Sequence, residues 1–190
     1  MPLDGIERGL IQIWDALTGK HLVKYTKHAT SVNNLAWSPD GKLLASTAFA
    51  DIFVWNAATA ETVFEYEDRE IQGYIDAYGI AWSPDGKRVA IGANAPLKFI
   101  RIFDATTGEH LVEYTGHTGG VGAIDWSPDG KRIASGGADG PVLLWDPISL
   151  QTLLTYKGHL EQINTVFWSP DGKHLLSASE DGTAQIWQAG

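Results

Sequence analysis

The sequence contains no cysteine, which excludes disulfides and thiolate metal or redox sites. It has a single methionine, no run of Lys or Arg, and no stretch of the roughly eighteen apolar residues that a membrane-spanning helix requires. Acidic residues outnumber basic ones by 23 to 14, for a formal net charge of −9. With no basic patch to offset it, that charge argues against nucleic acid and against an anionic membrane surface as partners. Met1 to Glu7 carries acids where a signal peptide needs bases and an apolar run, so the chain reads as soluble, and the lack of cysteine suits a cytoplasmic location. Helical periodicity is missing as well: no window sustains it over three turns. Gly-Lys occurs five times without the spacing of a phosphate loop. Gly119-Gly120-Val121-Gly122 precedes a strand and not a helix. The six histidines are too scattered to form a metal set, so no metal and no cofactor is expected.

What the chain does have is 44% hydrophobic residues, 11% aromatics and 21 glycines in 190 residues, the composition of one folded, turn-rich all-β domain. Trp37-Ser38-Pro39-Asp40-Gly41-Lys42 returns at Trp82 to Lys87, Trp126 to Lys131 and Trp168 to Lys173. Pro has its φ preset for the second position of a turn, Asp tolerates the third, and Gly accepts the positive φ that follows. Apolar stretches such as Leu35-Ala36-Trp37 and Leu43-Leu44-Ala45 flank the first turn, which therefore reads as strand, turn, strand. Successive turns start 45, 44 and 42 residues apart, a period typical of solenoids, arrays and propellers. Trp14, Trp55, Phe103 and Trp145 are each followed eleven residues later by Tyr25, Tyr66, Tyr114 and Tyr156. Three of those tyrosines precede His28, His117 and His159 by three residues.

On these residues the chain resembles the WD-repeat (Trp-Asp repeat) beta-propeller family. The dipeptide stands at Trp14-Asp15 and Trp145-Asp146, with variants Trp55-Asn56, Phe103-Asp104 and Trp187-Gln188. Gly-His precedes the inner strand at Gly116-His117 and Gly158-His159, with Lys27-His28 as a looser version. The resemblance covers residues 10 to 188 and implies an all-β propeller with four blades' worth of four-stranded antiparallel sheets, all within one domain of residues 1–190. A partial blade is expected at 10–25, full blades at about 32–66, 77–114 and 121–156, and a three-stranded blade at 163–187. Lettering strands a to d from the axis outward gives four each of a, b and d but five of c. Such a set is either half of an eight-bladed ring, closed by a second copy, or a fragment of a longer array.

In the family, a His before strand a, a Ser or Thr in strand b, an Asp in the b-to-c turn and the Trp of strand c form a buried hydrogen-bonded chain. The resemblance assigns that structural network to His117, Ser135, Asp139 and Trp145, and again to His159, Ser177, Asp181 and Trp187. It assigns it in part to His28, Ser46 and Trp55, where Asp51 sits one place late. Repetition argues against reading Ser, His and Asp as a catalytic triad, which is needed once. The second blade breaks the pattern, with Gly73, Ile91 and Phe103 in the His, Ser and Trp slots. It also carries about four extra residues between Tyr66 and Gly73. Either this is drift in a tolerant loop, or Glu67, Asp68, Arg69, Glu70, Gln72, Tyr74 and Asp76 form a contact patch for a partner. Thr30, Ser31, Gly120, Glu161, Gln162 and Glu180 are further rim candidates. The expected function is a non-catalytic scaffold binding a protein or peptide. The alternative is a self-assembling half-propeller, natural or engineered, that closes its ring as a homodimer.

Overall fold

The computed structural model describes residues 9–49, 51–67, 77–94 and 96–189. All regular structure among them is antiparallel β. A two-stranded sheet of β1 (Ile11–Trp14) and β2 (His21–Tyr25) comes first. Blade one follows as β3 (Val32–Trp37), β4 (Leu43–Ala48), β5 (Asp51–Asn56) and β6 (Thr62–Glu67). Blade two is β7 (Ala77–Trp82), β8 (Arg88–Ala93), β9 (Ile100–Asp104) and β10 (His110–Tyr114). Blade three is β11 (Val121–Trp126), β12 (Ile133–Gly137), β13 (Val142–Trp145) and β14 (Thr152–Tyr156). A three-stranded sheet of β15 (Ile163–Trp168), β16 (His174–Ser179) and β17 (Ala184–Gln188) completes the described structure. The all-β class and the four-stranded antiparallel sheets agree with propeller blades.

Each a-to-b hairpin is set by the repeated turn. In the first, Ser38 Oγ donates to Asp40 Oδ1 at 2.7 Å and accepts from the Leu43 amide at 2.9 Å, while Asp40 Oδ1 accepts from the Lys42 amide at 3.1 Å. The same set recurs at Ser83, Ser127 and Ser169. The closing glycines take φ of 71°, 69°, 70° and 68° at Gly41, Gly86, Gly130 and Gly172, a region costly for any residue with a Cβ. The c-to-d turns use a different device. Asp15, Asn56, Asp104 and Asp146 each accept amides two and three residues ahead, which turns the chain back into strand d.

The apolar cores lie between neighbouring sheets, as expected when each sheet has two faces to bury. Ala45, Val54 and Phe64 of blade one meet Ile80, Trp82 and Ile91 of blade two. Blade two meets blade three through Ala90, Ile102, Ile124 and Trp126, and blade three meets β15–β17 through Ala134, Leu144, Val166 and Trp168. At the other end, β1 and β2 cover the outer half of blade one, where Ile11 and Tyr25 join Leu44, Phe53 and Trp55. Backbones approach closely at these seams: a Cβ on Gly136 would stand 2.7 Å from Ile163 Cγ2. The four a strands, β3, β7, β11 and β15, line a shared inner groove.

Candidate functional site

Two features of this scaffold have chemistry to weigh: the buried polar chains inside the blades and the mouth of the inner groove. In blade three, the d-to-a connection positions His117, strand β12 positions Ser135, the b-to-c turn positions Asp139 and strand β13 positions Trp145. His117 Nδ1 lies 3.0 Å from Asp139 Oδ2, its Nε2 lies 2.8 Å from Ser135 Oγ, and Trp145 Nε1 donates to that same Oγ at 3.1 Å. A neutral imidazole satisfies every link: its Nδ1–H donates to the carboxylate and its Nε2 accepts from the serine hydroxyl. Burial pushes the Asp139 carboxyl upward, but the hydrogen bonds from His117 and from the Thr118 amide outweigh it and hold the group below its ordinary value.

The three-stranded sheet repeats the arrangement. His159 Nδ1 is 3.0 Å from Asp181 Oδ2, His159 Nε2 is 2.8 Å from Ser177 Oγ, and Trp187 Nε1 reaches that oxygen at 3.4 Å. The Thr183 hydroxyl, donating at 2.6 Å, holds the Asp181 carboxyl well below the usual range. Blade one keeps only the inner links, with His28 Nε2 2.7 Å from Ser46 Oγ and Trp55 Nε1 donating to Ser46 at 3.2 Å. His28 Nδ1 is buried without a hydrogen-bond partner among the described residues, so Asp51, one place late, does not complete the chain. Burial lowers the His28 pKa, against a smaller opposite pull from Asp51.

Blade two has replaced the chain by apolar contact. Ile91 and Phe103 are fully buried, and Phe103 packs on Tyr66 with ring centroids 4.6 Å apart. The polar contacts have moved outward, where Arg101 donates to the Tyr66 hydroxyl at 2.9 Å and to Glu113 at 2.8 Å. Gly73, expected in the His slot, lies outside the described residues.

Ser, His and Asp thus stand at triad-like distances, yet Ser46, Ser135 and Ser177 are all wholly buried, and each hydroxyl already serves an indole. A hydrolase nucleophile needs access to a carbonyl and oxyanion donors beside it. Among the described residues no cluster of three His, Asp or Glu side chains is placed to hold a metal ion.

The inner groove opens at the rim formed by the d-to-a and b-to-c connections. There a cavity of about 450 Å³ is walled by Asn33, Asn34, Asn94, Asn164, Gln162 and Tyr78. Gly120, Gly122 and Gly137 bring main chain to the same wall. Asn34 is fixed across the blade seam, its Nδ2 donating to the Tyr78 carbonyl at 2.6 Å and its Oδ1 accepting from the Leu35 amide at 2.8 Å. Deeper in the groove, Asp125 accepts from the Trp168 amide at 2.7 Å, and burial holds its carboxyl above the usual range.

Of the rim candidates, Gln162 and Gly120 line this cavity. Glu161, Gln162 and Glu180 are exposed side by side, joined by a 2.9 Å bond from the Glu180 amide to the Gln162 carbonyl. Thr30 and Ser31 are exposed further along. Asp68, Arg69, Glu70, Gln72, Tyr74 and Asp76 lie outside the described residues, and Glu67 is described only through its backbone in β6. The asparagines of the inner strands are the rim residues that sequence reasoning missed. A signal existed, since Asn33, Asn34 and Asn164 sit at the start of strand a in two repeats.

Comparison with known proteins places these features in a family. The sequence model of the WD domain, G-beta repeat, matches at residues 19–55, 108–146 and 150–188. The segment left unmatched between the first two includes most of blade two, the blade without the polar chain. The chain is also similar to WD repeat and SOCS box-containing protein 1. The Mus musculus protein is 41% identical over 54 residues, 27% of this chain and 13% of that protein. The Homo sapiens and Danio rerio proteins are each 39% identical over 54 residues. The match therefore spans only a small part of these relatives' length.

Proposed function

We propose that this chain, which belongs to the WD-repeat family, is a non-catalytic scaffold that binds an extended peptide segment of a partner protein at the mouth of its inner groove. WD repeats support protein–protein interaction, and the family is generally non-enzymatic. The observation that carries the peptide reading is the cavity wall. Asn34, Asn94, Asn164 and Gln162 surround about 450 Å³ together with glycine main chain. A side-chain amide presents a donor and an acceptor in the spacing of a peptide bond, so a ring of amides fits backbone groups better than it fits a charged or apolar small molecule. The formal charge of −9 and the exposed Glu161 and Glu180 beside the mouth favour a partner segment carrying Lys or Arg. The Ser, His and Asp sets serve to hold blades together, which their burial supports. The absence of cysteine fits a cytoplasmic setting.

Selection of displayed peptides on the wild-type chain, followed by titration against Asn34→Ala, Gln162→Ala and Asn164→Ala, tests this. Basic peptides losing at least tenfold in affinity on these variants is the expected result. Unchanged affinity on all three would move the contact surface elsewhere, with the stretch from Asp68 to Asp76 the next target.

A second reading, self-association into a closed ring, is favoured by a separate observation. Trp37 and Ile186, at opposite ends of the row of sheets, are 51% and 73% exposed. Large apolar groups of this kind on open sheet faces call for a cover. Light scattering coupled to size exclusion over a tenfold concentration range should give about twice 20.6 kDa. A concentration-independent mass of 20.6 kDa would refute it.

A further inference from the structure

Gln12-Ile13-Trp14 in β1 recurs as Gln185-Ile186-Trp187 in β17. Strand β17 is the third strand of its sheet, paired to β16 with Leu175 opposite Trp187, Leu176 opposite Ile186 and Ser177 opposite Gln185. Strand β1 has β2 on one edge and, among the described residues, no strand on the other. Beside that open edge, between β1 and β3, lie two cavities. One of about 590 Å³ is bounded by Ile13, Val23, Trp37 and Ala57, and one of about 420 Å³ by Ile11, Gln12, Val32 and Leu35.

These cavities occupy the place where strands a and b of a preceding blade belong. At each other seam, a residue at or just before the start of one strand b packs with the tryptophan that ends the next strand a. Leu43 packs in the cluster of Trp82, the Arg88 guanidinium lies 4.7 Å over the Trp126 ring, and Arg132 lies 4.6 Å over Trp168. Among the described residues Trp37 has no such cover, and it is 51% exposed, whereas Trp82, Trp126 and Trp168 are 8% exposed or less. The opposite end has the inverse defect. Val54, Ile102 and Leu144 are 2% exposed or less against a following sheet, while their equivalent Ile186 is 73% exposed. One end offers a formed a and b pair, and the other offers a formed c and d pair with a gap beside it.

We propose that two copies of this chain join by strand exchange. Strands β15 and β16 of one copy enter the gap beside β1 of the other, and β1 takes the place of β17. Each junction becomes a composite four-stranded blade, β15-β16-β1-β2, drawn from two chains. The inference rests on the self-association reading and goes beyond it by naming the strand that yields. Because the three residues are the same, the β16 register carries over unchanged: Leu175 opposite Trp14, Leu176 opposite Ile13 and Ser177 opposite Gln12. The Trp14 indole then meets the Ser177 hydroxyl and the Tyr156 ring, which Trp187 now stacks at 4.4 Å. Gln12 replaces Gln185 beside the Tyr156 hydroxyl. His174 arrives over Trp37, at the position that Arg88 and Arg132 hold in the other seams.

Strand β17 yields, and β1 does not, because β1 already carries an outer strand. Asp15 accepts the Leu17 and Thr18 amides at 3.0 and 2.7 Å and turns the chain into β2. Gln188, the last residue of β17, stands at the corresponding place, and its side chain is one methylene longer than the Asp or Asn that makes this turn elsewhere. Keeping β17 would require β1 to be stripped from β2. Two chains so joined make eight blades with two-fold symmetry, within the range of about four to eight that propellers adopt.

The chain has no native cysteine, so engineered pairs read the register directly. Cross-strand neighbours stand about 4.5–5.5 Å apart at Cα, within disulfide reach. Ile13→Cys chains co-refolded with Leu176→Cys chains should give a disulfide-linked dimer on non-reducing gels, and Leu176→Cys/Ile186→Cys chains should stay unbridged in the dimer fraction. Trp14→Ala should raise the dimer dissociation constant at least tenfold, and Trp187→Ala should leave it within twofold. A wild-type chain of dimer mass whose cysteine variants form the 176–186 bridge and no 13–176 bridge would overturn the exchange while leaving self-association standing. A 13–176 bridge in a doubly substituted chain of monomer mass would overturn it in favour of closure within one chain. A wild-type mass of 20.6 kDa at all concentrations would overturn both readings.

Discussion

Replacing Ser135 by alanine deletes one oxygen and leaves two buried nitrogens without a partner. Ser135 Oγ is 2.8 Å from His117 Nε2 and 3.1 Å from Trp145 Nε1, and Ser135 and Trp145 are wholly buried. Stranding a buried polar group costs about 1–3 kcal/mol, so the pair together should cost about 2–6 kcal/mol. Against a typical total of about 5–15 kcal/mol this is a large fraction. In a chain of this size about 4 kcal/mol corresponds to a Tm lower by about 8–16 °C. Urea denaturation followed by tryptophan fluorescence, at fixed protein concentration because association would shift the midpoint, measures it. The double-mutant cycle sharpens the argument. Trp145→Phe removes one of the two stranded groups, so Ser135→Ala/Trp145→Phe should cost less than the sum of the single changes by about 1 kcal/mol or more. Ser177→Ala should cost less than Ser135→Ala, because Trp187 reaches Ser177 only at 3.4 Å and is less buried than Trp145. A Ser135→Ala chain within about 0.5 kcal/mol of wild type, or an additive cycle, would refute the reasoning.

Gly136→Ala should destabilise by about 1–3 kcal/mol through overpacking, since its Cβ would meet Ile163 Cγ2 at 2.7 Å. Gly122→Ala, whose Cβ would have Tyr78 Cβ at 3.9 Å as its nearest neighbour, should stay near wild type in the same melts. Arg88→Ala should cost about 1 kcal/mol of cation–π attraction at the seam and alter Trp126 emission, with Arg88→Lys intermediate. The pH dependence has a defined sign. His28 is lowered below its ordinary value by burial, so its contribution is present above the unfolded pKa of about 6.5 and is lost as pH falls from there toward the folded value. Wild-type stability should therefore begin to decline below about pH 6.5, and a His28→Gln chain should show a shallower decline. Asp139 is also lowered, so its contribution should persist down to about pH 4 and fall away only below that.

How much of this was legible in the sequence depended on how local or how repeated each feature is. The Ser-Pro-Asp-Gly turns were readable because every hydrogen bond that makes them lies within six residues. The polar chain of His117, Ser135, Asp139 and Trp145 spans far more sequence, but its return with the same residue types at His159, Ser177, Asp181 and Trp187 made the grouping visible. The mouth asparagines were harder. An Asn at the start of a strand has the same composition signal whether it faces the axis or solvent, and only the meeting of four inner strands turns Asn34 and Asn164 into one wall. The arginines over Trp126 and Trp168 had left a trace, Lys-Arg after the turn in two successive repeats, that becomes meaningful only once neighbouring blades are seen to pair those positions.

Blade two is the natural experiment on what the polar chain contributes. It has Ile91 where its neighbours have Ser46 and Ser135, and Phe103 where they have Trp55 and Trp145, yet both residues are fully buried and the sheet keeps all four strands. Its two faces are held by apolar clusters shared with blades one and three. A blade packed on both sides therefore retains its form when an apolar pair fills the volume of the serine and indole, in keeping with the near neutrality of replacing both partners of a buried hydrogen bond at once. Removing one member alone leaves the others stranded, which is why the single change at Ser135 is expected to be costly. The same comparison bears on chemistry. Groups that one blade has exchanged for hydrocarbon, and that the others wall off from solvent, answer to the folding of each blade, whereas a substrate would require access to them.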